Sequence, residues 1–133
     1  AASDVYKRQL LLGAEEAAGV DIDPKAVGVA YENAAINGIG RDRYTVRWGN
    51  VVTDRALQKE FGGEYDVVVA NIVADVIIGI SLQVRPFLRA GGLFLCSGII
   101  DDRAEEVADH LRRDGWEILE THTSEGWFSF LCR

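Results

Sequence analysis

Two polar residues that directly follow apolar runs are the first candidates for chemistry. Asp21 follows "AAGV", and Asn71 follows "VVVA". In folds built on a parallel sheet, ligands bind outside the carboxyl ends of the strands, where both residues would lie. A carboxylate at Asp21 can accept hydrogen bonds from both hydroxyls of a ribose, and a buried amide at Asn71 needs a polar partner. The alternatives are a solvated turn carboxylate at Asp21 and an asparagine at 71 that caps the next helix.

The elements that would position these residues follow from hydrophobic periodicity and turn residues. Strands are predicted at 19–22, 44–48, 65–72, 93–99, 116–123 and 126–132, and helices at about 24–37, 53–61, 74–85 and 101–115. This alternation predicts an α/β fold with a mostly parallel sheet and an antiparallel C-terminal hairpin.

Local signals refine that outline. The continuous valines of 65–72 predict a strand that is buried on both faces. Residues 89–92, "RAGG", predict a turn, and Asp101 or Asp102 is expected to cap the following helix. The short link at Ser124-Glu125 predicts the antiparallel pairing of the last two strands.

Composition narrows the classes of function. The 133 residues suffice for one domain with a core, and 48% of them are hydrophobic. The formal net charge of −7 favours a basic protein partner over direct nucleic acid binding. Cys96 and Cys132 are far apart and the two histidines are scattered, so no metal site is expected. The most apolar run, 67–80, contains Asn71 and Asp75 and is interpreted as a strand and a helix, not a membrane span. A cytoplasmic protein with reduced thiols is predicted.

Three segments carry a more specific resemblance. They are "GVDIDPKAVGVAYENAAINGI" (19–39), "DVVVANIVADVI" (66–77) and "LRAGGLFLCSGIIDDRAEEV" (88–107), followed by "GW" at 126–127. In this order and spacing they resemble the ribosomal protein L11 methyltransferase family of Rossmann-like, S-adenosylmethionine-dependent methyltransferases. The resemblance covers about residues 10–133. It implies methylation of lysine side chains and of the N-terminal amine of a large-subunit ribosomal protein.

The resemblance also implies roles for the cofactor-side residues. Asp21 would bind the ribose hydroxyls, and Ile22 would cover one face of the adenine. Many methyltransferases place an acid after the second strand to receive the adenine amino group. Here Asn50 would accept that bond through its carbonyl, and the Val51 amide would serve a ring nitrogen. The alternatives are core packing for Ile22 and a plain turn at 48–52.

On the substrate side, Asn71 in "NIVA" matches the family motif at the methyl-transfer site. Its amide oxygen, with a nearby backbone carbonyl, would accept protons of a neutral amine and aim the lone pair at the methyl group. Ser97 and Gly98 are expected on the same rim, with Gly98 allowing close approach of substrate or serving a turn. Trp127 is a candidate for the substrate entrance, although an aromatic on a terminal hairpin is more often core.

Departures from the family pattern are equally informative. The family's first strand, its glycine-rich loop and its separate substrate-recognition domain find no match here. Residues 1–9 resemble a non-native sequence found at the ends of fragmentary reading frames, so 10–133 are predicted to be a truncated catalytic domain. Such a chain is expected to be inactive alone. The alternatives are another amino-group or amide methyltransferase of this fold, and a non-catalytic domain that packs or binds a nucleoside. The protein-glutamine type usually shows Asn-Pro-Pro-Tyr where this chain has "NIVA".

Overall fold

The computed structural model describes residues 16–21, 24–40, 42–50 and 54–133. The chain divides into two compact units, Ala1–Phe61 and Gly62–Arg133. In the described part of the first unit the elements are β1 (Ala17–Asp21), α1 (Pro24–Ile36), β2 (Tyr44–Trp48) and α2 (Arg55–Phe61). β1 and β2 pair in parallel, with Asp21 opposite Trp48. The predicted strand at 19–22 therefore starts two residues earlier than expected.

The core of the first unit lies between α1 and its two-stranded sheet. Ala30 and Ala34 of α1 are buried against Tyr44 and Val46 of β2. Small residues on this face let the helix approach the sheet closely, and Tyr31 meets the Tyr44 ring edge-on at 6.1 Å between centroids. The helix ends where Gly38 takes a positive φ of 73°, as the Asn-Gly pair predicts.

The hydroxyl of Tyr31 closes the outer edge of β2. It accepts the Val46 N–H at 2.8 Å and donates to the Val46 carbonyl at 3.1 Å. Strand edges with unpaired backbone groups can pair with other chains. The Tyr31 hydroxyl gives the Val46 backbone groups a hydrogen-bond partner and so protects the edge from such pairing.

Replacing Tyr31 with phenylalanine should therefore lower the free energy of unfolding by about 1–3 kcal/mol. The Val46 N–H loses its partner, and the Val46 carbonyl keeps only the Arg47 guanidinium at 3.4 Å. Denaturant unfolding followed by circular dichroism measures the change, with Val29→Ala on the exposed side of α1 as the control. Equal stability of Tyr31→Phe and the parent chain would contradict this role for the hydroxyl.

The second unit is a four-stranded sheet flanked by helices. Its elements are β3 (Tyr65–Asn71), α3 (Ala74–Val84), a short 3-10 helix (Arg85–Phe87), β4 (Leu88–Ile100), α4 (Asp101–Arg113), β5 (Ile118–Ser124) and β6 (Trp127–Cys132). The strand order is β3-β4-β6-β5. β3 and β4 are parallel, whereas β6 runs antiparallel to both β4 and β5. The predicted mixed α/β architecture with its terminal hairpin is confirmed.

The core of this unit forms where α3 and α4 cover β4. Phe94, Cys96 and Ile99 of β4 are fully buried, as are Ile77 of α3 and Val107 of α4. No helix in the described ranges is long and apolar enough to cross a membrane.

Trp116, which follows α4, anchors the other end of this core. Its indole N–H donates to the Ser81 carbonyl at 3.0 Å, and its ring lies 5.1 Å from that of Phe94. The guanidinium of Arg85 stacks on the same ring, 3.9 Å from its centroid. The indole thus joins α3 and the end of α4 to the sheet.

The prediction that 65–72 is buried on both faces is wrong. Asp66 and Val67 are exposed, with 44% of Val67 accessible, and Ala70 is the one fully buried residue of β3. Among the described strands β3 pairs only with β4. Strand side chains project above and below the sheet, so the exposure means that no described element of the second unit covers Asp66 and Val67.

The predicted turn at 89–92 is instead a bulge within β4. Leu88 lies opposite Tyr65 and Leu93 opposite Val67, so β4 carries extra residues between the two pairs. Gly91 takes a positive φ of 77° there, which explains why the composition resembles a turn.

The N-cap of α4 and the hairpin turn each lie one or two residues away from the predicted positions. The N-cap of α4 is Ile100, without a side-chain cap bond, and Asp101 and Asp102 lie in the first turn, where they favour the helix dipole. The hairpin turns at Glu125-Gly126, both with positive φ, as a two-residue turn of the primed type requires.

Candidate active site

Asn71 and Ser97 form a polar pair at the carboxyl end of the parallel strands in the second unit. They are register partners across β3 and β4, so their side chains lie on the same face of the sheet. The Ser97 hydroxyl donates to Oδ1 of Asn71 at 3.2 Å, and both residues are half-buried. A backbone hydrogen bond also joins the two strands here, since the Ile72 N–H donates to the Ser97 carbonyl at 3.2 Å.

Gly98 brings a second backbone feature to this rim. Between Cys96 and Ile99, β4 carries one residue more than β6, which makes a β-bulge at Ser97-Gly98. Gly98 takes a φ of 79° there. A Cβ on Gly98 would lie 2.8 Å from Asn71 Oδ1 and 3.2 Å from the Ile72 carbonyl oxygen. The two oxygens therefore both lie close to Gly98, and a larger residue there would crowd them.

The structure excludes one of the two interpretations of Asn71, the helix cap. The N-cap of α3 is Val73, with no side-chain cap bond, so Asn71 does not cap the helix. Its amide oxygen instead faces Gly98 and Ser97 at the rim.

Trp127 lies at the same end of the sheet. It opens β6 opposite Ile100, three residues beyond Ser97 on β4, and the Asp101 N–H donates to the Gly126 carbonyl at 3.0 Å. The ring is 53% exposed, and Ile100 is exposed beside it. Trp127 is thus not a core residue, and its position fits the predicted substrate side.

Charged residues in the first turns of α3 and α4 surround this rim. Arg103 binds Asp75 at 2.6 Å and Glu106 at 2.6 Å, which ties the starts of the two helices together. The Arg103 guanidinium lowers the pKa of Asp75 below its usual value, so that carboxylate stays ionised. With Asp101, Asp102 and Glu105 also exposed, the rim has an acidic surplus that suits a cationic substrate.

The first unit carries the predicted cofactor-side residues. Asp21 ends β1 opposite Trp48, and the exposed Asn50 follows β2 by two residues, so both lie at the carboxyl end of this sheet. The Asn50 carbonyl accepts the Asp54 N–H at 2.8 Å, and Asp54 Oδ1 accepts the Leu57 N–H at 3.0 Å as the cap of α2. Asp54 therefore links Asn50 to the first turn of α2.

The candidate residues fall into two groups, one in each unit. In the second unit Asn71, Ser97 and Gly98 lie together, with Trp127 on the same rim. In the first unit Asp21 and Asn50 lie at the same end of the sheet. Ile22 and Val51 lie outside the described residues. Asp54 was not among the predicted site residues. An aspartate directly before a helix is a common N-cap, and this signal could have indicated it. A backbone carbonyl near the Asn71 amide was expected from the sequence, but its residue, Ile72, was not named.

The fold and the polar rim at the carboxyl ends of β3 and β4 define the class, a Rossmann-like methyltransferase fold. The crystal structure of the ribosomal protein L11 methylase from Lactobacillus delbrueckii subsp. bulgaricus is similar, with a TM-score of 0.86 at 23% identity over 98% of this chain and 64% of that one. Fibrillarin from Aeropyrum pernix, with natively bound S-adenosyl-L-methionine, gives a TM-score of 0.72 at 16% identity over 89% of this chain and 55% of its own.

The family follows from sequence. The model of the ribosomal protein L11 methyltransferase family (PrmA) matches residues 8–133, and the chain belongs to this family. It is 38% identical over 136 residues to the ribosomal protein L11 methyltransferase of Lachnoclostridium phytofermentans, and 42% identical over 123 residues to that of Carboxydothermus hydrogenoformans. These matches cover 92% of this chain but 41% and 38% of the two relatives. The family resemblance predicted from the motifs is confirmed.

Proposed function

We propose that this chain contributes the catalytic site of an S-adenosylmethionine-dependent N-methyltransferase that acts on ribosomal protein L11. The lysine side chains and the N-terminal amine of that protein are the proposed acceptors. Family membership supports the reaction class, and the names of the relatives support the substrate.

The observation that carries the proposal is that two acceptor oxygens, Asn71 Oδ1 and the Ile72 carbonyl, lie next to Gly98 at the same rim. Two acceptors in this arrangement suit a group with two N–H donors, such as a neutral primary amine. Once both N–H bonds are engaged, the remaining lone pair of the nitrogen has a defined direction. The chain therefore catalyses by positioning the nucleophile.

The amine must lose its proton before it can react. A lysine ammonium that leaves water for a half-buried rim has a lowered pKa, so its proton passes to solvent and the neutral form becomes more populated. The exposed carboxylates at the start of α3 and α4 attract the charged form from solution. They favour the ammonium, but water and salt screen them, so desolvation at the two oxygens decides the protonation state.

The residues of the first unit fit the nucleoside part of the cofactor. Asp21 offers a carboxylate for a pair of ribose hydroxyls, and Asp54 links Asn50 to the first turn of α2. When bound, S-adenosylmethionine supplies the methyl group on a positively charged sulfur. The role of the chain is to bind the nucleoside and to hold the acceptor nitrogen.

Activity is best measured in a chimera in which residues 10–133 replace the matching segment of the Carboxydothermus hydrogenoformans relative, because this chain spans 38% of that protein. The chimera should transfer labelled methyl groups from S-adenosylmethionine to purified ribosomal protein L11. The unaltered relative is the positive control. No transfer by a folded chimera, with an active relative, would contradict the proposed function.

Residues 1–133 alone are expected to bind S-adenosylmethionine more weakly than about 10 μM and to transfer no methyl group. The sequence before Asp21 contains no glycine-rich loop to hold the methionine part of the cofactor. Calorimetric titration measures the affinity. Tighter binding would show that the residues of this chain suffice for a cofactor site.

A further inference from the structure

We infer that Trp48 is a further residue of the cofactor site and that its indole ring stacks on the adenine of S-adenosylmethionine. The inference deepens the proposed function and rests on the cofactor named there. Asp21 and Asn50 can form hydrogen bonds with a nucleoside, but neither offers a flat apolar surface for its base. Trp48 is the register partner of Asp21 on the neighbouring strand and precedes Asn50 by two residues.

The exposure of Trp48 departs from the pattern of its own strand. Side chains alternate along a strand, so Tyr44, Val46 and Trp48 project from the same face of β2. Tyr44 and Val46 are 1% and 5% exposed, because α1 packs on them, whereas Trp48 is 64% exposed. The indole therefore extends this apolar face beyond the part that α1 covers. It does so at the carboxyl end of the sheet, where folds of this kind bind their ligands.

The backbone that carries the indole is tied to two elements of the first unit. Trp48 itself belongs to the parallel ladder of β2 with β1. Gly49, the next residue, lies against α2, since a Cβ there would be 2.8 Å from Leu57 Cδ2. The Asn50 carbonyl then accepts the Asp54 N–H at 2.8 Å. A ring on a backbone held in this way loses little conformational freedom when a ligand stacks on it, which favours binding.

The spacing of the two strands matches the structure of a nucleoside. Neighbouring strands lie about 4.8 Å apart, so the backbone positions of Asp21 and Trp48 are separated by one such step. The ribose and the base of a nucleoside are joined directly by one bond. A ribose bound at Asp21 thus brings its base within reach of the indole, with Asn50 nearby for the amino group. Stacking on aromatic side chains is a common way to bind a nucleobase.

The first test measures the affinity of the chimera for S-adenosylhomocysteine, which carries the same nucleoside and has no methyl group to transfer. In calorimetric titration, Trp48→Ala should raise the Kd by about tenfold, the scale of one stacked base. Trp48→Phe keeps an aromatic ring and should bind almost as tightly as the parent. Trp48→Leu keeps only apolar bulk and should bind as weakly as Trp48→Ala. Equal Kd values for the parent, Trp48→Ala and Trp48→Leu would overturn the inference.

Ile36→Ala is the matched control. Ile36 is an apolar residue at the far end of α1 and is 82% exposed. Its replacement should leave the Kd unchanged, because it lies away from the carboxyl end of the sheet. A loss of affinity in Ile36→Ala as large as that in Trp48→Ala would overturn the inference, since the effect would not be specific to the indole.

The second test uses adenosine to locate the contact. Adenosine lacks the methionine part of the cofactor, so stacking on the base predicts the same fold-loss of affinity in Trp48→Ala for both ligands. Saturating adenosine should also quench the indole fluorescence of the parent chimera, and Trp48→Phe should lose that quenching. A loss of affinity confined to S-adenosylhomocysteine would assign Trp48 to the methionine part and overturn the inference, as would equal quenching in Trp48→Phe.

Binding and turnover separate this inference from the proposed function. A chimera that binds both ligands through Trp48 but transfers no methyl group to ribosomal protein L11 would refute the proposed function and leave the inference standing. An active chimera whose Trp48→Ala variant binds both ligands normally would refute the inference alone. A folded chimera that binds neither ligand would refute both.

Discussion

Replacing Asn71 with alanine in the chimera is expected to lower kcat by about a hundredfold while the affinity for S-adenosylmethionine changes little. The amide oxygen is one of two acceptors that lie next to Gly98, and alanine removes it. The acceptor amine would lose its alignment, whereas the cofactor-side residues belong to the first unit.

Single-turnover kinetics with saturating cofactor, together with calorimetric binding, measure both quantities. Asn37→Ala is the matched control, because Asn37 is an exposed residue just past α1. Unchanged turnover in Asn71→Ala would remove the residue from the mechanism. A loss of cofactor affinity as large as the loss of turnover would assign it to cofactor binding instead.

Replacing Gly98 with alanine should be at least as damaging. The φ of 79° costs an alanine about 1–2 kcal/mol, and its Cβ would lie 2.8 Å from Asn71 Oδ1 and 3.2 Å from the Ile72 oxygen. The methyl group would push both acceptor oxygens out of place. We expect kcat to fall by about a hundredfold or more and the free energy of unfolding to fall by about 1–3 kcal/mol.

Gly115→Ala separates the two causes. Gly115 also has a positive φ, 90°, but a Cβ there meets no atom within 4 Å. Both variants should lose stability in urea unfolding, and only Gly98→Ala should lose turnover. Normal turnover in Gly98→Ala would show that the space above this glycine does not receive the substrate.

Much of the fold could be predicted because it depends on local patterns. Alternating residues at 44–48 and the Asn-Gly pair after α1 act within a few residues, and the structure places β2 and the end of α1 there. The exposure of β3 could not be predicted in this way. A valine run is compatible with covered or uncovered strand faces, and the difference depends on which elements pack against them.

The same distinction between local patterns and strand pairing applies to the candidate site. Asn71 and Gly98 could be selected because a polar residue and a glycine at strand ends are unusual in themselves. Their convergence depends on the register of β3 against β4 and on the bulge at Ser97-Gly98, which no local pattern specifies. For the same reason the hydrogen bond between Ser97 and Asn71 became visible only in three dimensions.

The most direct test of the central claim, that this rim holds an amine nitrogen between two oxygens, is to locate the transferred methyl groups. Ribosomal protein L11 treated with the chimera and S-adenosylmethionine would be digested and sequenced by tandem mass spectrometry. Methyl groups on lysine side-chain nitrogens or on the N-terminal nitrogen are the predicted result. Methyl groups on glutamine amide nitrogens or on carboxylate oxygens would contradict the account.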